Sequence, residues 1–127
     1  MDQHTLGRSE RLKSEKDISV LFEKGMNLSL QPIRIIYLVN ESTDKNWLKT
    51  GFVVPKKNFK RAVDRNLLKR RMREAFRLNK HIMDAMNDGL KRIDLMLVYQ
   101  GQKIEDYNKI NESVKALLKK LLQRQIN

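Results

Sequence analysis

The chain has 127 residues, with 27 Lys and Arg against 15 Asp and Glu, and no cysteine. That length suits one domain around one core, the lack of cysteine excludes a disulfide scaffold and thiolate metal sites, and a formal charge of +12 calls for an anionic partner. The first seventeen residues lack the apolar centre of a signal peptide and the longest apolar run, 35–39, is too short to span a bilayer, so a cytoplasmic protein with no membrane partner is expected.

Residues 1–13 are polar and aperiodic, which predicts a flexible basic arm carrying Arg8, Arg11 and Lys13 ahead of a folded domain over 14–127. Ser14-Glu15-Lys16-Asp17 has the form of a capping box, Ile18, Leu21 and Phe22 recur at helical spacing, and Gly25 supplies a stop. Over 33–39 the residues alternate, with Ile33, Ile35, Tyr37 and Val39 on one side and Arg34, Ile36 and Leu38 on the other, as in a strand. A polar turn over 40–46 and a second strand over 48–54, ended by Pro55, predict an antiparallel hairpin.

A central helix is predicted over 62–79, with Asp64 near its positive end; whether it continues through 82–87 is left open by the pattern, and Gly89 ends it either way. A third strand over 93–100 and an amphipathic helix from Asp106, marked by Tyr107, Ile110, Val114, Leu117, Leu118, Leu121 and Leu122, complete the order αββαβα. The fold class is α+β, a single-domain sandwich with a small mixed sheet. Phe52, Phe76, Tyr99 and Tyr107 are assigned to the core, and Trp47 in its polar turn receives no assignment.

Charge is concentrated in the middle. From Lys56 to Lys80 there are eleven Lys and Arg and two acids, Asp64 and Glu74, so eleven minus two, or nine, of the twelve surplus charges lie there. At about 100° per residue, Arg65, Asn66, Lys69, Arg70, Arg73 and Arg77 share one side of the helix, while Leu67, Leu68, Met72, Ala75 and Leu78 fall mostly on another with Arg71 among them. A charged helical side is by itself often only solvated, and basic amphipathic helices also suit membranes or partner proteins.

The spacing is more specific than the charge. Gly51-x-x-Val54-x-Lys56-Lys57, then Ala62-Val63-x-Arg65-Asn66-x-x-Lys69-Arg70-x-x-Arg73, resembles the signature of the bacterial ribonuclease P protein subunit, and the resemblance extends over roughly 11–122. It implies a ribosomal-protein-like fold with a rare left-handed βαβ crossover, where the general rule expects a right-handed one. It also implies an accessory subunit of a tRNA-processing endoribonuclease whose catalyst is RNA and whose magnesium is held by that RNA, with one protein per RNA. Carried onto this chain, the motif gives Arg65, Asn66, Lys69, Arg70 and Arg73 as RNA-facing residues, and Arg77, Lys60 and Arg61 of the same basic segment are further RNA-binding candidates. Lys56 and Lys57 serve leader or tRNA backbone, and Ile18, Phe22 and Tyr37 line a cleft for the single-stranded 5′ leader of precursor tRNA. The position of Ile18 is often Phe in that family, and isoleucine can pack but cannot stack on a base.

No residues are expected to be catalytic or to bind metal. The acids are scattered, His4 lies in the arm, His81 at a helix end, and no phosphate-binding loop, metalloprotease helix or nucleophile elbow occurs. Rival readings are a general RNA-binding protein of ribosomal type, which need not tell precursor from mature tRNA, and a DNA-binding protein, disfavoured because no dimerising heptad is present.

Overall fold

The computed structural model describes residues 11–43 and 45–126. In chain order these form α1 (Glu15–Lys24), β1 (Met26–Leu30), β2 (Ile33–Glu41), β3 (Leu48–Val53), α2 (Ala62–Asn79), a 3-10 helix (Lys80–Met86), β4 (Lys91–Tyr99) and α3 (Tyr107–Ile126). The α1 cap forms as its residues predict: Ser14 Oγ accepts from Asp17 N at 3.3 Å, and Gly25 N donates to Leu21 O at 2.8 Å. A Cβ on Gly25 would overlap the Leu21 carbonyl oxygen and come within 2.7 Å of Ile36 Cγ2, so glycine is what lets the end of α1 sit down on β2.

The sheet is mixed, in the order β1-β2-β4-β3. Its arrangement corrects the predicted hairpin: β2 and β3 are not neighbours, because β4 lies between them, antiparallel to β2 from Ile33↔Tyr99 to Glu41↔Lys91 and parallel to β3 from Leu48↔Ile93 to Val53↔Val98. Every β4 residue from Ile93 to Tyr99 is buried, so this strand needs a neighbour on each edge and a layer on each face. A β2–β3 hairpin would have left it at an edge.

β1, an additional strand, pairs antiparallel with β2 from Met26↔Tyr37 to Leu30↔Ile33. Its burial pattern is mostly exposed, which is why MNLSL carries so little hydrophobic signal.

The two sheet faces follow from alternation. One carries Ile33, Ile35, Tyr37, Leu95 and Leu97 into the main core, closed by Leu68, Met72 and Phe76 of α2 and by Ile110, Val114, Leu117 and Leu121 of α3. Each such buried aliphatic or aromatic side chain contributes about 1.5–3 kcal/mol. The other face packs Ile36, Met96 and Val98 against Leu21 of α1 and Leu12. Leu12 corrects the predicted arm at its near end: it is buried, its N donates to Thr50 O at 3.0 Å, and Arg11 bridges Thr50 in parallel. The remainder of the arm, with Arg8 and His4, lies outside the described residues.

Two polar anchors fix the helices. At the end of α2 the buried Asn79 donates to Ala75 O at 2.8 Å and to Asn111 Oδ1 of α3 at 2.7 Å, and the backbone then tightens into the 3-10 helix rather than continuing as α. Under the start of α1, Arg92 forks the buried Asp94 at 3.0 and 2.9 Å and reaches Asp17 at 3.3 Å. The hydrogen bond to Asp94 raises the Arg92 pKa above its ordinary value. Phe76 and Tyr99 are buried as predicted, Phe52 and Tyr107 are half-buried at the margin of the core, and Trp47 packs half-buried against it.

Candidate nucleic-acid interface

α2 buries Leu68, Met72, Ala75, Phe76 and Asn79. On its other side Asn66, Arg70 and Arg73 are exposed and Lys69 and Arg65 half-buried. Preceding it, residues 55–61 turn sharply, with Pro55 O accepting from both Asn58 N and Phe59 N at 3.3 Å. Phe59 is the plug of this turn: it is buried and meets Tyr99 edge-on at 5.6 Å. With the aromatic inside, Lys56, Lys57, Lys60 and Arg61 are left exposed. The helix and the turn therefore present one cationic surface.

The cations of this surface are not equivalent. Arg65 Nη1 donates to Phe59 O at 2.9 Å and to Lys60 O at 2.8 Å, clasping the turn to the helix. Arg73 lies over the Phe52 ring, 5.7 Å from guanidinium carbon to centroid. Arg77 pairs with Glu74 through Nε at 3.1 Å and through Nη2. Arg71, the cation on the apolar side, donates to Glu105 O at 2.7 Å and ties α2 to the segment before α3. Asn66, Lys69 and Arg70 make no such contact among the described residues. Guanidinium groups offer paired donors to phosphate oxygens, and lysines supply point charge.

The predicted cleft residues divide between the two faces. Ile18 is half-buried with Leu21, Ile36 and Leu38, and Phe22 follows on α1 with 47% of its surface exposed. Tyr37 does not join them. It is 1% exposed in the main core on the opposite face, where Arg124 Nη1 donates to its hydroxyl at 3.3 Å. Strand parity gives the reason, since adjacent residues point to opposite faces, and the side chain under α1 is that of Ile36. The plug of Phe59, the place of Ile36 under α1 and the clasp of Arg65 are structural features that sequence reasoning missed. The alternation of 33–39 held the signal for Ile36.

His81 is exposed on the 3-10 helix. Among the described residues no three His, Cys, Asp or Glu side chains gather as a metal-holding group, and no helix is long and apolar enough to cross a membrane. The arrangement can bind and neutralise an anionic polymer.

Known proteins share this fold. The family model described as Ribonuclease P matches residues 6–122. The ribonuclease P protein component of Petrotoga mobilis is 32% identical over 123 residues, covering 95% of this chain and 98% of the relative. That of Porphyromonas gingivalis is 29% identical over 114 residues, covering 89% and 83%. Among solved structures, the RNase P protein from Thermotoga maritima superposes with a TM-score of 0.69 at 27% identity, covering 87% of this chain and 96% of that one.

Proposed function

The chain belongs to the family of ribonuclease P protein components, the accessory subunits of the tRNA-processing endoribonuclease, and from that premise we propose which of its surfaces meets which RNA. The exposed side of α2 with the 55–61 turn binds the catalytic RNA through Asn66, Lys69, Arg70 and Arg73, with Arg65 and Arg77 contributing charge from their braced positions. Lys56, Lys57, Lys60 and Arg61 extend this contact toward the sheet. The sheet face beside α1, rimmed by the exposed Phe22, receives the single-stranded 5′ leader of precursor tRNA.

Chemistry belongs to the RNA in this reading. The protein supplies binding, positioning and neutralisation of phosphate charge, one copy per RNA in the cytoplasm, while magnesium is held by the RNA. The observation that carries the assignment is the continuity of exposed cations from the 55–61 turn onto one side of α2. Carboxylates, by contrast, are dispersed or already committed, as Asp94 and Glu74 are.

Reconstitution with a bacterial ribonuclease P RNA at low magnesium tests this directly. The expected result is cleavage of precursor tRNA at the mature 5′ end, tighter binding of leader-bearing precursor than of mature tRNA, and no cleavage by rigorously RNA-free protein. Equal affinity for both ligands would overturn the leader assignment; cleavage by the protein alone would move the active site into the polypeptide.

A further inference from the structure

α1 lies along the sheet from Arg92, which Asp17 reaches, to Ile36, on which Leu21 and Gly25 rest. The next row toward the 55–61 turn consists, by strand register, of Ser29, Arg34, Val98 and Val53. Parity places Arg34 on the same face as Ile36.

Arg34 is half-buried, and its Nε is buried with no hydrogen-bond acceptor among the described residues. Buried donors are almost always satisfied, and a charged one more stringently than a neutral one. Its row neighbours bring no carboxylate. The acid on this face of β4, Asp94, pairs in register with Leu38 and is forked by Arg92. Among the described residues no carboxylate pairs with this guanidinium. It also stands where β3 ends at Val53 and the chain passes through Val54 and Pro55 to the exposed Lys56 and Lys57.

We propose that Arg34 is a phosphate-binding residue, holding a phosphodiester of the single-stranded RNA leader where it crosses the sheet. This rests on the leader reading above and adds to it a residue and a mode of recognition. With Nε buried, the two Nη groups are the paired donors that the guanidinium can present to phosphate oxygens. Val98 and Val53 beside it are aliphatic and cannot stack on a base, so recognition at this point is of the backbone and independent of leader sequence.

The test compares holoenzymes carrying the native chain, Arg34→Met and Arg34→Lys, each with leader-bearing precursor and with mature tRNA. Arg34→Met is expected to weaken precursor binding about tenfold, the loss of a charge-assisted pair of hydrogen bonds, and to leave mature tRNA unaffected. Arg34→Lys recovers part of the loss by charge alone. With the native chain, methylphosphonate substitution scanned along the leader should weaken binding at one linkage, and that substitution should have no further effect with Arg34→Met. Equal weakening of both ligands by Arg34→Met, or a flat scan with the native chain, overturns the proposal. Should Arg34→Met not fold, the native scan and Arg34→Lys decide alone. Failure of the underlying reading looks different: the native holoenzyme would then bind precursor and mature tRNA alike. If the native enzyme discriminates and Arg34→Met discriminates equally, only the Arg34 assignment falls.

Discussion

The guanidinium carbon of Arg73 stands 5.7 Å from the centroid of the Phe52 ring, and that ring meets Phe76 edge-on at 6.0 Å. A cation on the exposed side of α2 is thus positioned by a strand residue that is itself seated on the core. Phe52→Leu keeps apolar volume and removes the ring, so affinity for the catalytic RNA should fall about two- to fivefold, the value of one exposed cation–π contact. The dependence of affinity on salt should not change. Arg73→Ala should instead lower the log-log salt slope by about 0.7–0.9, one phosphate contact. A salt series for both variants checks this, and an equal drop in slope for Phe52→Leu would show that the ring does more than orient the cation.

Arg65 and Arg70 lie on the same side of the helix and should behave differently. Arg65 holds the carbonyls of Phe59 and Lys60, so Arg65→Ala should lose about 1.5–3 kcal/mol of stability along with RNA affinity. Arg70→Ala, at an exposed position, should lose affinity with stability within about 0.5 kcal/mol of the native chain. Thermal unfolding and RNA titration on the two variants separate the roles.

Tyr37 and Phe22 make an opposed pair. Tyr37→Ala opens the main core and should destabilise the fold by about 3–5 kcal/mol, whereas Tyr37→Phe should retain the preference for leader-bearing precursor. Phe22→Ala, half-exposed on α1, should leave the fold nearly intact and reduce precursor affinity by about 1–3 kcal/mol if its ring stacks on a base. Denaturant unfolding and the ratio of precursor to mature tRNA affinity distinguish the two. A Tyr37→Phe holoenzyme that lost that ratio would return Tyr37 to the cleft.

Burial raises the phenols of Tyr99 and Tyr107 above the ordinary tyrosine value. Tyr99 needs its proton, since its hydroxyl donates to Lys103 O at 2.6 Å while accepting from Glu105 N at 3.0 Å. A folded pKa above the unfolded one means a contribution fully present below about pH 10 and lost as pH rises through the folded values. Tyrosinate absorbance should therefore appear at higher pH in the folded than in the denatured chain. The denaturant midpoint should fall over the same range, and less so in Tyr99→Phe.

The helices were legible because their signals are local. Ser14, Gly25 and the run from Ala62 to Asn79 carry cap, stop and periodicity within a few residues, and α1 and α2 fall where those signals put them. Strand neighbours are set by distant residues. Nothing in 33–54 says that 91–99 will lie between its two strands; only the apolar character of Ile93 to Tyr99 on both faces hints at a central place. β1 escaped because an edge strand with exposed Asn27 and Ser29 needs little apolar residue. The site shows the same division: the exposed cations are readable from helical spacing, whereas Tyr37, placed in the cleft by resemblance, is buried in the main core on the opposite face from its neighbour Ile36. The clasp of Arg65 and the orphaned Nε of Arg34 depend on contacts that no spacing reveals.

The insertion of β4 between β2 and β3 also bears on synthesis. Strands β2 and β3 are complete by residue 53 and α2 by residue 79, yet neither strand has its shared partner until residues 91–99 have been made. Non-local pairing of this kind is slow to nucleate, and chains emerge from the ribosome amino-end first. On the nascent chain the cationic helix therefore precedes the completed sheet that will carry it, although the β1–β2 hairpin can form its ladder beforehand. A chain stalled before residue 91 would expose the apolar rows of β2 and β3 together with eleven positive charges from Lys56 to Lys80, a combination suited to capture by any RNA nearby.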